Sequence, residues 1–340
     1  MEHPFDLNKS HSIVLNLYKE LQKICESHKL RYYAISGTTI GAVLWNGIIP
    51  WDDDIDIALP AEDYAKLIEI LKHDVLPKHI GFIEYIWFGI KIYDNRTMFT
   101  NACYLDDPRK YIGISIDVVP LINIPNNKLE QESFIKRLKA LHEDGALFEK
   151  YGILKNRKTE DELKCEREHL LYDYKFGETE YVMDFSDCRY VLKAQGFEKP
   201  EKMKFEDCYI WVSSNYHDDL TIQYGHYQKN PPKDKRESIH QKLSLINLNK
   251  SCLEYAKNFD ESKDEVKRII KAQHTYEGFC EDGIYYRDRL LAETDRKYKE
   301  LFEENERLKA EAIELKKALS EKNTNLKTKI SRFRSKIIKQ

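Results

Sequence analysis

The chain lacks any Cys-x-x-Cys pair. Its seven cysteines are scattered singly and their total is odd. This argues against a disulfide frame or a cysteine zinc site and fits reduced thiols in a cytoplasmic setting, each packing as a small buried hydrophobe. No apolar run approaches the length of a membrane span. Met1 to Ser10 is polar and lacks the apolar stretch of a signal peptide. An overall excess of positive charge is missing too: the formal net charge of −3 argues against a generic nucleic-acid binder. The basic residues are nonetheless unevenly placed, with seven Lys or Arg and no acid from Lys322 to Gln340. At 340 residues the chain has room for one large domain and an appendage.

Against these absences stands one dense feature, Trp51-Asp52-Asp53-Asp54-Ile55-Asp56-Ile57-Ala58. Asp54 and Asp56 alternate with Ile55 and Ile57, so a strand from Asp54 to Leu59 points both carboxylates to one face and both isoleucines into a core. Two carboxylates held side by side repel, and a divalent cation is the usual compensation in phosphate chemistry. Asp52 and Asp53 read as a solvated turn. Upstream, the strand-like Arg31 to Ile35 runs into Ser36-Gly37-Thr38-Thr39-Ile40-Gly41-Ala42, a small-residue turn of the kind that brings backbone N–H groups to a phosphate.

From Ser36 to Val43 and from Gly47 to Pro60 the sequence closely resembles the LicD phosphotransferase family, which also includes the fukutin-type proteins. Phe88 to Asp94, Gly113 to Leu121, and the stretch from Phe205-Glu206-Asp207 through Gln223-Tyr224-Gly225-His226-Tyr227 to Pro231-Pro232 look like further family blocks in the same order. The resemblance covers about residues 10 to 240. It implies an α+β fold, a nucleotidyltransferase-like mixed sheet with flanking helices. It implies transfer of a phospho-alcohol such as phosphocholine or ribitol phosphate from a CDP-activated donor to a sugar hydroxyl of a surface glycan, with release of CMP. Asp54 and Asp56 match the family's metal-binding pair, with Mg²⁺ or alternatively Mn²⁺ as cofactor. Asp117 matches a third carboxylate, which either completes the metal site or takes the proton of the attacking hydroxyl. Gly37, Thr38 and Thr39 would hold donor phosphate oxygens. Lys91 either neutralises a phosphate or is a strand-surface lysine. The chain departs from the family in having Ser36-Gly37-Thr38 for the usual Gly-Gly-Thr, and Leu44-Trp45-Asn46 where a basic residue is common; both bear on the donor more than on the chemistry. Tyrosines, 22 in all, either stack on a cytosine or a choline cation or sit at core edges.

Helical spacing of Ile13, Val14, Leu17, Leu21 and Ile24 predicts a first helix beside a strand at Tyr32 to Ser36. A short helix is expected from Thr38 and another over Glu62 to Lys72. Phe82 to Tyr93, Tyr111 to Val119 and Lys204 to Val212 read as strands. In the second of these, Asp117 alternates with Ile114 and Ile116, and its bland reading is a buried Asp satisfied by backbone N–H groups. Residues 128 to 175 read as helical, with Leu138, Leu141 and Leu147 on one face, and Asp218 to Gln228 as a helix ending near Gly225. Lys233 to Asp282 reads as polar and helical. Its Lys233, Lys235 and Arg236 either meet donor phosphates or form a solvated loop, and His226 and His240 are most simply surface histidines.

The C-terminal segment carries a heptad seam of Leu301, Leu308 and Leu315 with Tyr298, Asn305, Ala312, Leu319, Leu326 and Phe333. The sequence is thus read as a catalytic domain over 1–245, a helical extension over 246–290 and a coiled coil with a basic amphipathic tail over 291–340. Homo-oligomerisation through 291–326 and contact of 322–340 with the inner face of a membrane are expected, against a single solvated helix with a frayed end. The expected partners are the CDP-alcohol and a glycan, which a membrane-bound chain would meet lipid-linked; no nucleic acid is expected. Two competing readings are a nucleotidyltransferase that releases pyrophosphate and a non-catalytic coiled-coil scaffold of a polysaccharide-synthesis complex.

Overall fold

The computed structural model describes residues 6–259, apart from 74, 102–107, 153, 156, 158, 233–235 and 237–243, together with residue 307. The chain divides into two compact units, Met1–Gln273 and His274–Gln340. Except for Arg307, which is helical, the coiled-coil seam and basic tail lie outside the described residues. No helix among the described residues is long and apolar enough to cross a membrane.

The first unit is α+β, built on a mixed seven-stranded sheet. Helix α1 (Leu7–Ser27) starts at Asp6, whose side chain accepts the Lys9 N–H, and buries Val14, Leu17, Leu21 and Ile24 along one stripe. After it come β1 (Tyr33–Ala34), α2 (Ser36–Trp45), β2 (Asp56–Pro60) and α3 (Ala61–Leu71). The hairpin β3 (Ile80–Glu84) and β4 (Ile90–Asp94) follows, then β5 (Met98–Asn101) and the long β6 (Ser115–Ile124). The helices α4 (Lys128–Tyr151) and α5 (Glu160–Tyr172) lead to β7 (Tyr181–Asp184), β8 (Leu192–Lys193) and α6 (Ala194–Glu198). Last come the hairpin β9 (Glu201–Phe205) and β10 (Cys208–Val212), α7 (Tyr216–Tyr224), β11 (Ser244–Asn247) and α8 (Cys252–Lys257).

Strand β6 is the hub. It pairs in parallel with β2 over 117–121, and antiparallel with β4 over 115–118 and with β7 over 121–124. Beyond β2 lies β1, beyond β4 lies β3, and beyond β7 lies β8. On one face Ile55, Ile57, Leu59, Ile90, Ile92, Ile116 and Val118 pack against α1 and α3. Next to them Ile122, Ile124, Met183 and Phe185 pack against α4 and α5. The opposite face has apolar cover only in part, where Tyr33, Ala58, Val119, Leu121 and Val182 meet Ala194 and Phe197 of α6. Asp56 and Asp117 project from the rest of that face.

Several boundaries differ from the sequence reading, each for a local reason. The expected strand at Phe82 to Tyr93 is a hairpin. Gly89, at φ +152°, lets the turn pass so close to β6 that a Cβ there would meet the Val118 carbonyl oxygen at 2.5 Å. The expected strand at Lys204 to Val212 is also a hairpin, turned at Glu206 with φ +53°. Helix α2 begins at Ser36, and β6 begins at Ser115. Within the stretch read as wholly helical from Lys233, β11 is a strand, because the free edge of β5 offers it an antiparallel partner.

Candidate active site

Four elements bring the acidic residues together. Helix α2 ends at Asn46, whose left-handed backbone (φ +53°) turns the chain sharply back. The turn is tight: a Cβ on Gly41 would lie 2.4 Å from the Gly47 carbonyl oxygen. Glu206 holds the turn from the β9–β10 hairpin, accepting the Ile48 N–H at 3.0 Å and donating its own N–H to the Asn46 carbonyl at 2.7 Å. The returning loop lays Asp52 across the start of α2, so that a Cβ on Gly37 would stand 2.9 Å from Asp52 Oδ2. The Asp52 carbonyl meets His11 Nε2 at 2.6 Å, and its Oδ1 accepts the Asp53 N–H.

The loop brings a correction to the sequence reading. Asp54 and Asp56 do not share one strand, because β2 begins at Asp56 and Asp54 precedes it in the loop. Nor are Asp52 and Asp53 a solvated turn. Asp53 is buried, and ligand oxygens of Asp52, Asp53 and Asp54 lie within 4.8 Å of one another, a spacing that suits a metal ion. Ile55 and Ile57 are fully buried, as their alternation requires.

Asp56 finds its strand partner elsewhere. In the parallel pairing of β2 with β6 it stands directly across from Asp117, and in the antiparallel pairing of β6 with β4 Asp117 stands across from Lys91. Asp56, Asp117 and Lys91 therefore form one lateral row on the open face of the sheet. Lys91 Nζ reaches Asp117 Oδ1 at 2.5 Å and lies 5.1 Å from the centre of the Phe88 ring. Lys91 is thus an ion-pair partner inside the row. Thr38 fixes the near end of the row: its Oγ1 accepts the Asp56 N–H at 2.8 Å, and Thr38 and Thr39 are both buried. Burial, and then the charges of Asp54, Asp117, Asp52 and Asp184, push the Asp56 carboxyl well above the ordinary range.

The donor set suits Mg²⁺, a hard cation that takes a few carboxylates beside substrate phosphate oxygens. Asp54, Asp56 and Asp117 supply only oxygen ligands, and the raised pKa of Asp56 reports its burial first and then the repulsion of neighbouring carboxylates, which a bound cation would relieve. Helix α2 points its N-terminus at the same region, where Asp52 Oδ2 already stands 2.9 Å from the place a Cβ on Gly37 would take, a position the positive end of the helix favours for a negative group.

Sequence reasoning passed over Asp184, and it gave Tyr224 no role and Arg236 only the choice between a donor-phosphate contact and a solvated loop. Asp184, at the end of β7, projects to the same face. Tyr224 of α7, matched only as part of a block, has its hydroxyl turned toward the Ser36 side chain; burial, then Asp56 and Asp52, push its pKa up. Arg236 lies 4.8 Å from the Trp51 ring centre, with Nε bonded to the Pro231 carbonyl, and Trp51 meets Trp45 edge to face. It brings a cation beside the acidic loop in a chain whose α2 lacks the basic residue common in the family pattern. His226 is exposed, while Lys233, Lys235 and His240 lie outside the described residues.

Residues 29–87, which hold α2, the acidic loop and β2, match the family model described as LicD/FKTN/FKRP, nucleotidyltransferase domain. The chain is 22% identical over 264 residues to the lipopolysaccharide cholinephosphotransferase LicD of Haemophilus influenzae, covering 69% of this chain and 96% of that protein. It is 42% identical over 55 residues to an uncharacterized protein of Rickettsia prowazekii, covering 16% of this chain and 21% of that one. A second uncharacterized protein, from Rickettsia typhi, is 38% identical over 68 residues, or 19% of this chain and 20% of that one.

Proposed function

We propose that this chain, which belongs to the LicD family, is a transferase that moves a phospho-alcohol from a CDP-activated donor to a sugar hydroxyl of a surface glycan and releases CMP. The relative named as a lipopolysaccharide cholinephosphotransferase favours phosphocholine as the group and lipopolysaccharide as the acceptor. The observation that carries this reading is the lateral row of Asp56, Asp117 and Lys91, laid on the uncovered face of the sheet beside Asp54.

Asp54, Asp56 and Asp117 would hold Mg²⁺. When bound, the ion supplies charge neutralisation at the donor diphosphate and at the departing CMP. The chain's own residues do the rest. First-turn N–H groups of α2 near Gly37 orient a phosphate oxygen. Thr38, through the Asp56 N–H, keeps the Asp56 backbone in register. Lys91 holds Asp117 in place and adds positive charge beside the transferred phosphoryl group. The acceptor hydroxyl attacks the distal phosphorus in line; the new O–P bond forms as the bond to the CMP oxygen breaks, and its electron pair leaves with CMP.

Incubation with CDP-choline, CDP-ribitol, CDP-glycerol and CDP-ethanolamine, with and without lipopolysaccharide, tests the proposal. Acceptor-dependent, Mg²⁺-dependent release of CMP supports it. Nucleoside triphosphate turnover with release of pyrophosphate would mark a nucleotidyltransferase instead. Absence of Mg²⁺-dependent donor turnover would favour a non-catalytic scaffold.

A further inference from the structure

Phospho-alcohol transfer to a sugar requires a group to take the hydroxyl proton. Three of the carboxylates are assigned to the cation, and Asp117 Oδ1 is already engaged by the Lys91 ammonium. A further carboxylate stands on the same face outside that set. Asp184 closes β7, directly across from Leu121 of β6. Leu121 lies four residues beyond Asp117 on one strand, so the two share a face, and Asp184 shares it with them. The next residue, Phe185, turns to the opposite core and donates its N–H to the Pro120 carbonyl at 2.9 Å, which fixes the strand end.

Asp184 is also held in orientation. Its Oδ1 accepts two hydrogen bonds from Ser186, from the backbone N–H at 2.7 Å and from the hydroxyl at 2.9 Å. It keeps partial access to solvent. Asp56 from β2 and Asp187 from its own loop face it, Asp187 is paired with Arg189 at 2.6 Å, and Tyr224 of α7 stands near Asp187 and Arg189. Burial pushes the Asp184 carboxyl up to about 7, with Asp187 adding to the rise and the Ser186 hydrogen bonds opposing it. A base whose pKa lies near the working pH combines availability with driving force.

We propose that Asp184 is the general base of this transfer, receiving the proton of the acceptor hydroxyl as the sugar oxygen bonds to phosphorus. The inference rests on the function proposed above. The proton moves from the hydroxyl to Asp184, the O–P bond forms, the bond to CMP breaks, and the proton is then lost to solvent.

The test is the pH profile of kcat for CMP release from CDP-choline with lipopolysaccharide as acceptor. In the wild type, log kcat rises with unit slope and then levels off, at a pH below the metal-free value because bound Mg²⁺ favours the charged carboxylate. Asp184→Asn should lower kcat by about 100- to 10,000-fold, remove that limb and leave the KM for CDP-choline unchanged. Ser186→Ala, which takes away one hydrogen bond to the carboxylate, should move the limb to higher pH while keeping the plateau. This second variant decides the matter if Asp184→Asn does not fold. An active wild type whose Asp184→Asn keeps kcat within threefold, or whose Ser186→Ala leaves the limb unmoved, would overturn the base assignment and leave the transfer reaction standing. A wild type inactive toward all four CDP-alcohols would overturn the reaction and the base together.

Discussion

Asp56 and Asp117 face each other across two neighbouring parallel strands, one residue of β2 directly opposite one residue of β6. Parallel strands place side chains of one row on one face at close spacing, so the pair cannot separate without breaking the register. Two carboxylates fixed this way are the rigid part of the cation site proposed above, and the charge of Asp54 in the loop before β2 acts on the same pair.

Asp56→Asn and Asp117→Asn should each lower turnover by about a hundredfold or more, a few kcal/mol of transition-state stabilisation. The circular dichroism spectrum should not change, because Asp56 and Asp117 lie on the open face and contribute nothing to the apolar core. Near wild-type turnover at limiting Mg²⁺ in either variant would remove that residue from the metal set.

Lys91→Met deletes the counter-charge of Asp117 while keeping much of the aliphatic stem. The pair is only partly buried, with 24% and 15% of the two side chains exposed. The loss in folding stability should therefore be about 1–2 kcal/mol, below that of a fully buried pair. Activity should fall further than stability, and Lys91→Arg should restore more stability than turnover. Urea unfolding run alongside the CMP assay separates the two effects; parallel losses in both would reduce Lys91 to a structural role.

Gly41→Ala places a methyl group against the Gly47 carbonyl oxygen, a backbone atom that gives way only if the acidic loop moves. The variant should lose about 1–3 kcal/mol of stability and also lose affinity for Mg²⁺, since Asp52 to Asp54 ride on that loop. Unchanged metal affinity in the folded variant would show that the turn does not set the acidic cluster.

Much of this site was legible in the sequence, and what was missed has a physical cause. Alternation placed Ile55 and Ile57 in the core, and likewise Ile114 and Ile116 opposite Asp117, because burial on one face of a strand has a period of two. The same alternation put Asp54 and Asp56 on one strand, and there it failed. The ladder to β6 begins only at the Ile55 carbonyl, which accepts the Asp117 N–H at 2.9 Å, and nothing local to Asp54 announces that start. Asp184 ends a short apolar run, as many turn-starting aspartates do, and only the pairing of β7 with β6 puts it on the same face of the sheet as Asp117. Glu206 and Arg236 act across more than 150 positions of sequence, on Ile48 and Trp51 respectively, and no spacing rule reaches that far.

Ser36 opens α2 with φ +50°, where a side chain costs about 1 kcal/mol relative to glycine. The Gly-Gly-Thr of the pattern that this sequence resembles has glycine at this position, the residue a left-handed backbone favours. Ser36→Gly should raise the melting temperature by a few degrees and, by removing the hydroxyl that faces Tyr224, raise the KM for donor. A lower melting temperature would contradict the strain assignment.

Stability should also report the Asp184 titration. In the unfolded chain its proton is lost near the ordinary Asp pKa of about 4; in the fold it is held to about 7. Between those values the unfolded state binds fewer protons, so stability falls as pH rises. Measured without metal, wild type should lose stability relative to Asp184→Asn from pH 4 to pH 7 and run parallel to it above. A difference that stays constant across this window would place the folded pKa near the unfolded one.

The most direct test of the central claim follows the phosphorus. CDP-choline labelled at the choline-bearing phosphorus is incubated with lipopolysaccharide and Mg²⁺, using wild type and the Asp56→Asn/Asp117→Asn double variant. The label should enter the lipopolysaccharide in step with unlabelled CMP release, and only with the wild type. Label that stays with the nucleotide, or transfer by the double variant at the wild-type rate, would contradict phospho-alcohol transfer at the Asp56–Asp117 row.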